Sequence, residues 1–186
     1  MYDLSRKPVR VSLSPDEVAQ SVAFIQQVRH DKSSHSVRDQ MFDQRNTSEG
    51  INQIGHLGEM AVGKVLGVPV DMEIRTGGDE GYDLFYEGKT VQVKTSTRSS
   101  LIFNAKHLFS ADTAILCQYI GTDRQHAELS PHFVLWGWID RQTFLENYQI
   151  KDYGYGDRLV VNLPLLRPLA TLTPYQTTTP LEHHSR

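Results

Sequence analysis

Cysteine is almost absent. Cys117 stands alone among 186 residues, so neither an internal disulfide nor a CxxC zinc motif can form. Within AILCQYI it is expected to be a small core side chain. Long apolar runs are also missing, and none approaches the roughly 20 residues of a membrane span. The opening MYDLSRKPVRVSL has no apolar stretch of the secretory kind. A cytoplasmic protein with no membrane partner is therefore expected. Charge is nearly balanced, with a net value of -3, so attraction for nucleic acid must come from a local patch. There is no P-loop, no GxGxxG and no nucleophile elbow. These absences leave no sign of an organic cofactor or of a Ser/His/Asp hydrolase, and no internal repeat is found.

What is present fits one domain, residues 1–168, with a tail at 169–186 rich in Pro and Thr and expected to be extended or disordered. The fold class expected is mixed α/β. SPDE supplies Ser14 as N-cap, Pro15 at the first helical position and Glu17 three after the cap, which predicts a helix over 14–30. Residues 31–49 carry both charges and read as a long loop; its cations Arg29, Lys32, Arg38 and Arg45 are nearly cancelled by Asp31, Asp39 and Asp43. A second helix is expected over 51–66, with Gly67 after its end. Strands are expected over 70–75, 82–86, 89–96, 112–120, 132–139 and 158–163. Asp140 should cap a short helix holding Phe144 and Leu145. Trp136 and Trp138, two apart on a strand, are expected to share a face.

The stretch GYDLFYEGKTVQVKTS is the most informative. A two-residue turn at Glu87-Gly88 suits a tight hairpin, because Gly accepts the positive φ such turns need. Facing residues then have numbers summing to 175. Asp83 faces Gln92, and Lys94 lies diagonally on the same surface, roughly 7–8 Å away. Tyr82, Leu84, Tyr86, Val91 and Val93 form the opposite, apolar face. An ordinary solvated face would hold the same polar residues, so alternation alone leaves both readings open.

INQIGHLGEMAVGKVLG places Gly55, Gly58 and Gly63 inside the second helix. Each costs on the order of 1 kcal/mol against alanine, and close approach of another part of the chain would repay it. Glu59 is flanked by small residues and is either set against the sheet or an ordinary surface glutamate. His56 and Glu59 alone are too few for a transition-metal site.

An acid on a helix (Glu59 in GHLGEMAV), an acid on a strand (Asp83 in GYDL) and x-x-K on the next strand (Gln92-Val93-Lys94 in VQVKTS) together resemble the PD-(D/E)XK nuclease superfamily, in its variant with Gln in the motif. The resemblance covers residues 51–122. It implies a restriction-endonuclease-like α-β-β-β-α-β core, here with an N-terminal helix and C-terminal strand and helix additions. It also implies a metal-dependent DNA endonuclease of phage or prokaryotic kind, in the host cytoplasm if phage-encoded. Glu59, Asp83, Gln92 and Lys94 would be catalytic. Asp83, Gln92, Glu59 and the Val93 carbonyl would hold Mg²⁺, with Mn²⁺ as a substitute, and Asp79 and Glu80 would be spare acids nearby. Gln92 stands where most members carry an acid, so the ligand set has one negative charge fewer. DNA would be gripped by Thr95, Ser96, Arg98 and Lys106. Residues 84–107 hold four cations (Lys89, Lys94, Arg98, Lys106) against one acid, Glu87, and this is the local patch that the net charge conceals. Cleavage of both strands of a duplex would favour a homodimer. The alternative reading is a catalytically inactive DNA-binding module of the same fold.

Overall fold

The structure is a computed structural model that describes residues 3, 8–34, 48–70, 72, 81–104, 109–121, 130–154 and 156–172, without the side chains of 29, 31–34 and 48–51. Among these residues the chain forms β1 (Val9–Ser12), α1 (Pro15–Ser34), α2 (Ser48–Leu66), β2 (Leu84–Tyr86), β3 (Lys89–Ser96), β4 (Ser100–Asn104), β5 (Thr113–Tyr119), β6 (His132–Asp140), α3 (Arg141–Asn147), β7 (Gln149–Asp152) and β8 (Asp157–Asn162). The fold is mixed α/β. A five-stranded sheet has the order β1-β6-β5-β3-β2, and a three-stranded sheet has the order β4-β8-β7. Among the described residues only the β3–β5 pair is parallel.

Two cores separate three layers. On one side of the larger sheet, Leu57, Ala61, Val62 and Val65 of α2 and Val18 of α1 meet Leu84, Val91, Val93, Ile115 and Cys117. On the other side, Ala114, Leu116 and Ile139 meet Leu101, Phe103, Leu159 and Val161 of the smaller sheet, with Phe144 of α3 among them. Phe103, Phe109 and Phe144 form a ring cluster with centroids 4.9–5.4 Å apart.

Local signals account for the ends of several elements. The Ser14 hydroxyl accepts from the Glu17 amide (3.3 Å), and the Ser14 amide donates to the Glu17 carboxylate (2.7 Å), which is the expected capping box. Asp140 caps α3 by accepting from the Thr143 amide at 2.7 Å, and Phe144 is buried while Leu145 is exposed. Asp112 accepts from both the amide and the hydroxyl of Thr90, so the start of β3 is tied to the start of β5. Those two bonds hold its carboxyl below the ordinary value.

Several expectations are corrected. Helix α1 runs on to Ser34 and α2 begins at Ser48, inside the segment read as a loop; 35–47 lies outside the described residues, as does most of the strand expected over 70–75. Where the α-β-β-β-α-β order puts a second helix, Ser100–Asn104 instead forms β4 of the smaller sheet. Its hydroxyl-rich lead-in hid the alternation of Leu101 and Phe103. Trp136 and Trp138 do not share a face. Gly137 adopts φ 131 and the β5–β6 register shifts there, which inserts one residue and sends Trp138 into the helix-side core and Trp136 toward the other. The boundary expected at 168 falls inside the folded chain. Trp138 and Arg167 exchange backbone bonds (2.9 and 2.7 Å), and Leu169 and Leu172 are core residues; 173–186 lies outside the described residues.

The helix glycines differ in purpose. A Cβ on Gly58 would overlap the Thr95 side chain, and one on Gly63 would come within 2.8 Å of the Val68 carbonyl oxygen, while at Gly55 nothing lies within 4 Å. Gly58→Ala should therefore destabilise the fold by about 1–3 kcal/mol despite the better helix former. Gly55→Ala should stabilise it by about 0.5–1 kcal/mol. Urea melts of the two variants check both signs.

Candidate functional site

Glu87 (φ 50) and Gly88 (φ 77) form the turn expected for a two-residue hairpin. The register pairs Tyr86 with Lys89, Phe85 with Thr90 and Leu84 with Val91, so every facing pair sums to 175. The ladder ends at Leu84. Asp83 extends it in a different manner: its amide donates to the Val91 carbonyl at 2.9 Å, and its carboxylate accepts from the Val93 amide at 2.6 Å. A side chain thus replaces the next rung of main chain. Alternation breaks at this residue, and Tyr82 packs against the second core rather than beside Leu84.

The N–H and C=O of one strand residue point to the same side. The Val93 carbonyl therefore faces the edge of β3 on which the Asp83 carboxylate lies. Gln92 and Lys94, half-buried, lie on the face of β3 away from the helices. The Lys94 ammonium sits 4.9 Å from the centre of the Phe103 ring. Val91, Val93 and Thr95 face the other way, toward α2.

Glu59 comes from that other side and is half-buried. It shares a side of α2 with Gly63, four residues on, and Gly63 is set against Val70 and Leu84. Glu59 itself follows Gly58, which is set against Thr95 of β3. Its charge also reaches β5. Burial pushes the Cys117 thiol well above its ordinary value, and the Glu59 carboxylate adds to the shift. The elements thus bring Asp83, Gln92, the Val93 carbonyl and Lys94 to one stretch of β3, and Glu59 approaches the same strand from the helix side.

All the candidate ligand atoms of this set are oxygens, the Asp83 carboxylate is held in place by a backbone amide, and the carbonyl beside it points the same way. Such a donor set suits a hard cation such as Mg²⁺. Among the described residues no group of three or more His, Cys, Asp and Glu side chains converges; the set here has two acids, an amide and a carbonyl.

The expected phosphate grips divide. The Thr95 hydroxyl donates to the Gly55 carbonyl at 3.3 Å beneath α2, away from Gln92 and Lys94. Ser96 accepts from the Arg98 amide at 3.0 Å and shapes the bend after β3. The Arg98 guanidinium rests on the Tyr153 ring, 5.1 Å from its centre. Asp79, Glu80 and Lys106 lie outside the described residues. Two side chains near this face were missed. Phe85 was legible, since its pairing with Thr90 puts it on the face of Gln92 and Lys94. Tyr153, in KDYGYGD, had no local signal, because it meets Arg98 only through the pairing of the smaller sheet.

His56 has a separate role. It is buried, its Nδ1 lies 2.8 Å from the Ser21 hydroxyl, its ring is 4.7 Å from Phe24, and its Nε2 has no hydrogen-bond partner among the described residues. Burial lowers its pKa to about 4, so it is neutral in the fold and more basic in the unfolded chain. Its contribution is complete above pH 6.5 and is lost as pH falls toward 4, a change of about 3 kcal/mol. Replacing it by a group that does not titrate, His56→Gln, should flatten the decline in stability between pH 6.5 and 4, as read by urea midpoints across that range.

No family model, curated protein or solved structure matches this chain.

Proposed function

We propose that the protein is a Mg²⁺-dependent endonuclease that hydrolyses DNA phosphodiester bonds, with the restriction-endonuclease-like arrangement at its centre. The observation that carries the reading is the Asp83 carboxylate bonded to the amide of Val93, the residue between Gln92 and Lys94, at the edge of β3. A hairpin with a merely solvated face has no need to hold an acid against the strand edge in this way.

In this reading Asp83 and the Val93 carbonyl would hold the ion at the strand edge, with Gln92 reaching it from the face away from the helices and Glu59 from the helix side. When bound, Mg²⁺ supplies Lewis-acid stabilisation of charge on the phosphate and lowers the pKa of water. The protein does the rest. The Val93 amide fixes the direction of the Asp83 carboxylate before substrate arrives. Gln92 offers an uncharged oxygen and leaves the site less negative, which lowers its repulsion of a phosphate. Lys94, held against Phe103, places a positive charge beside the scissile phosphate and orients the attacking water. Arg98 lies further along the chain, where a flanking phosphate would pass. A homodimer in the cytoplasm is part of the proposal.

Purified protein should nick or cut supercoiled plasmid, branched DNA or single-stranded DNA with Mg²⁺, and should lose this activity with chelator. Asp83→Asn keeps an oxygen for the Val93 amide, so it should fold normally while losing at least about a hundredfold in rate. Lys94→Ala should lose a similar factor and still bind DNA. Mg²⁺-dependent cleavage that is absent from every substrate would overturn the reading. DNA binding without cleavage would favour a non-catalytic binding module, to which the neutral Gln92 also points.

A further inference from the structure

Phe85 is 60% exposed. A single exposed apolar residue is ordinary on a protein surface, but the location of this one is not. It lies on β2, a three-residue strand that is at the edge of the larger sheet among the described residues, where charge or proline commonly discourages pairing with other chains. Its partner across the hairpin is Thr90, so alternation puts it on the face of Gln92 and Lys94, away from the helices.

The same face continues past Lys94. After Ser96 the chain bends through 97–99, and the bend is secured from β5: Gln118 donates to the Thr97 carbonyl at 3.1 Å and accepts from the Trp136 indole at 2.7 Å. This secured bend presents Arg98 to Tyr153, in the β7–β8 turn of the smaller sheet. That turn is itself braced, because the Asp152 carboxylate accepts from the amides of Gly154 (2.7 Å) and Gly156 (3.2 Å). Taken in chain order, rings and cations therefore form an alternating line: Phe85, then Lys94 beside Phe103, then Arg98 on Tyr153. Thr90 and Lys94 alone span ~13 Å of strand.

We infer that this line is a binding track for single-stranded DNA, with Phe85 and Tyr153 stacking on unpaired bases and Lys94 and Arg98 contacting the phosphates between them. The inference rests on the nuclease reading and names its substrate class: DNA with unpaired nucleotides rather than intact duplex. Aromatic faces interleaved with cations suit this ligand because every unpaired base offers a ring face, whereas a duplex keeps its bases stacked on one another. Exposed Phe85 is available to a base directly. Tyr153 has Arg98 over its ring, and this pair can bring a base and a phosphate together.

The test uses the full chain without divalent metal, so that binding is read apart from cleavage. Fluorescence anisotropy of a labelled 20-mer of thymidylate should show binding at least about tenfold tighter than to a 20-bp duplex. Phe85→Ala and Tyr153→Ala should each weaken binding of the single strand by about five- to a hundredfold, whereas Phe85→Trp and Tyr153→Phe should retain it. The Phe85→Trp indole should be quenched by the single strand. Circular dichroism keeps loss of fold separate, and Tyr153→Phe reports on the ring without removing it. Equal or tighter binding to duplex, or alanine variants with unchanged affinity, would overturn the track. The two proposals fail separately. Ring-dependent binding with no Mg²⁺-dependent cleavage leaves the track and removes the nuclease, and cleavage of duplex unaffected by either alanine variant does the reverse.

Discussion

A turn of two residues sets the register on which the candidate site depends. Glu87 and Gly88 both take positive φ, and the strand twist they impose allows one pairing of the hairpin arms. A slip of one residue would exchange the faces of β3 and turn Lys94 toward α2 and Val93 toward the smaller sheet. The Asp83 carboxylate adds a second lock, because its bond to the Val93 amide exists in this register alone. The turn that closes the hairpin is therefore also what gathers the acid, the amide and the lysine.

The two sides of the larger sheet are built by different means. On the helix side, Gly58 and Gly63 remove side chains so that α2 can settle on Thr95 and on the Val68–Val70 segment. That closeness draws the neighbouring Glu59 to the sheet. On the other side, aromatic bulk fills the space between the sheets, and Phe103 lies under the Lys94 ammonium. A cation against a ring in a half-buried setting is held more firmly than one in water. The chain thus uses the smallest side chains to set Glu59 near the sheet and some of the largest to position Lys94.

Much of the scaffold was legible because its signals are local. The capping box at Ser14, the cap at Asp140, the hairpin turn and the apolar run of β5 each depend on residues within a few positions of one another. Phe85 belongs with them, since alternation alone gave its face. The misreadings share a different cause. Trp136 and Trp138 were assigned one face because the bulge at Gly137 depends on the pairing of β6 with β5 and on the Arg167 backbone that lies against it. Tyr82 was assigned to the wrong core because Asp83 gives the place of a main-chain rung to its side chain. β4 and the buried Leu169 and Leu172 were unreadable because each gains its stability from segments far away in the chain.

Alternation, turn chemistry and capping are consequences of covalent geometry and nearest-neighbour hydrogen bonds, so the amino-acid order alone determined that Asp83, Gln92 and Lys94 would share a ribbon. Whether Glu59 meets that ribbon, where the Lys94 ammonium rests, and which aromatic ring Arg98 finds are long-range matters. They depend on how closely a helix can approach a sheet and on how a second sheet fills the space left over. Only the packing of the whole chain decided them, because excluded volume acts between residues that the sequence holds far apart.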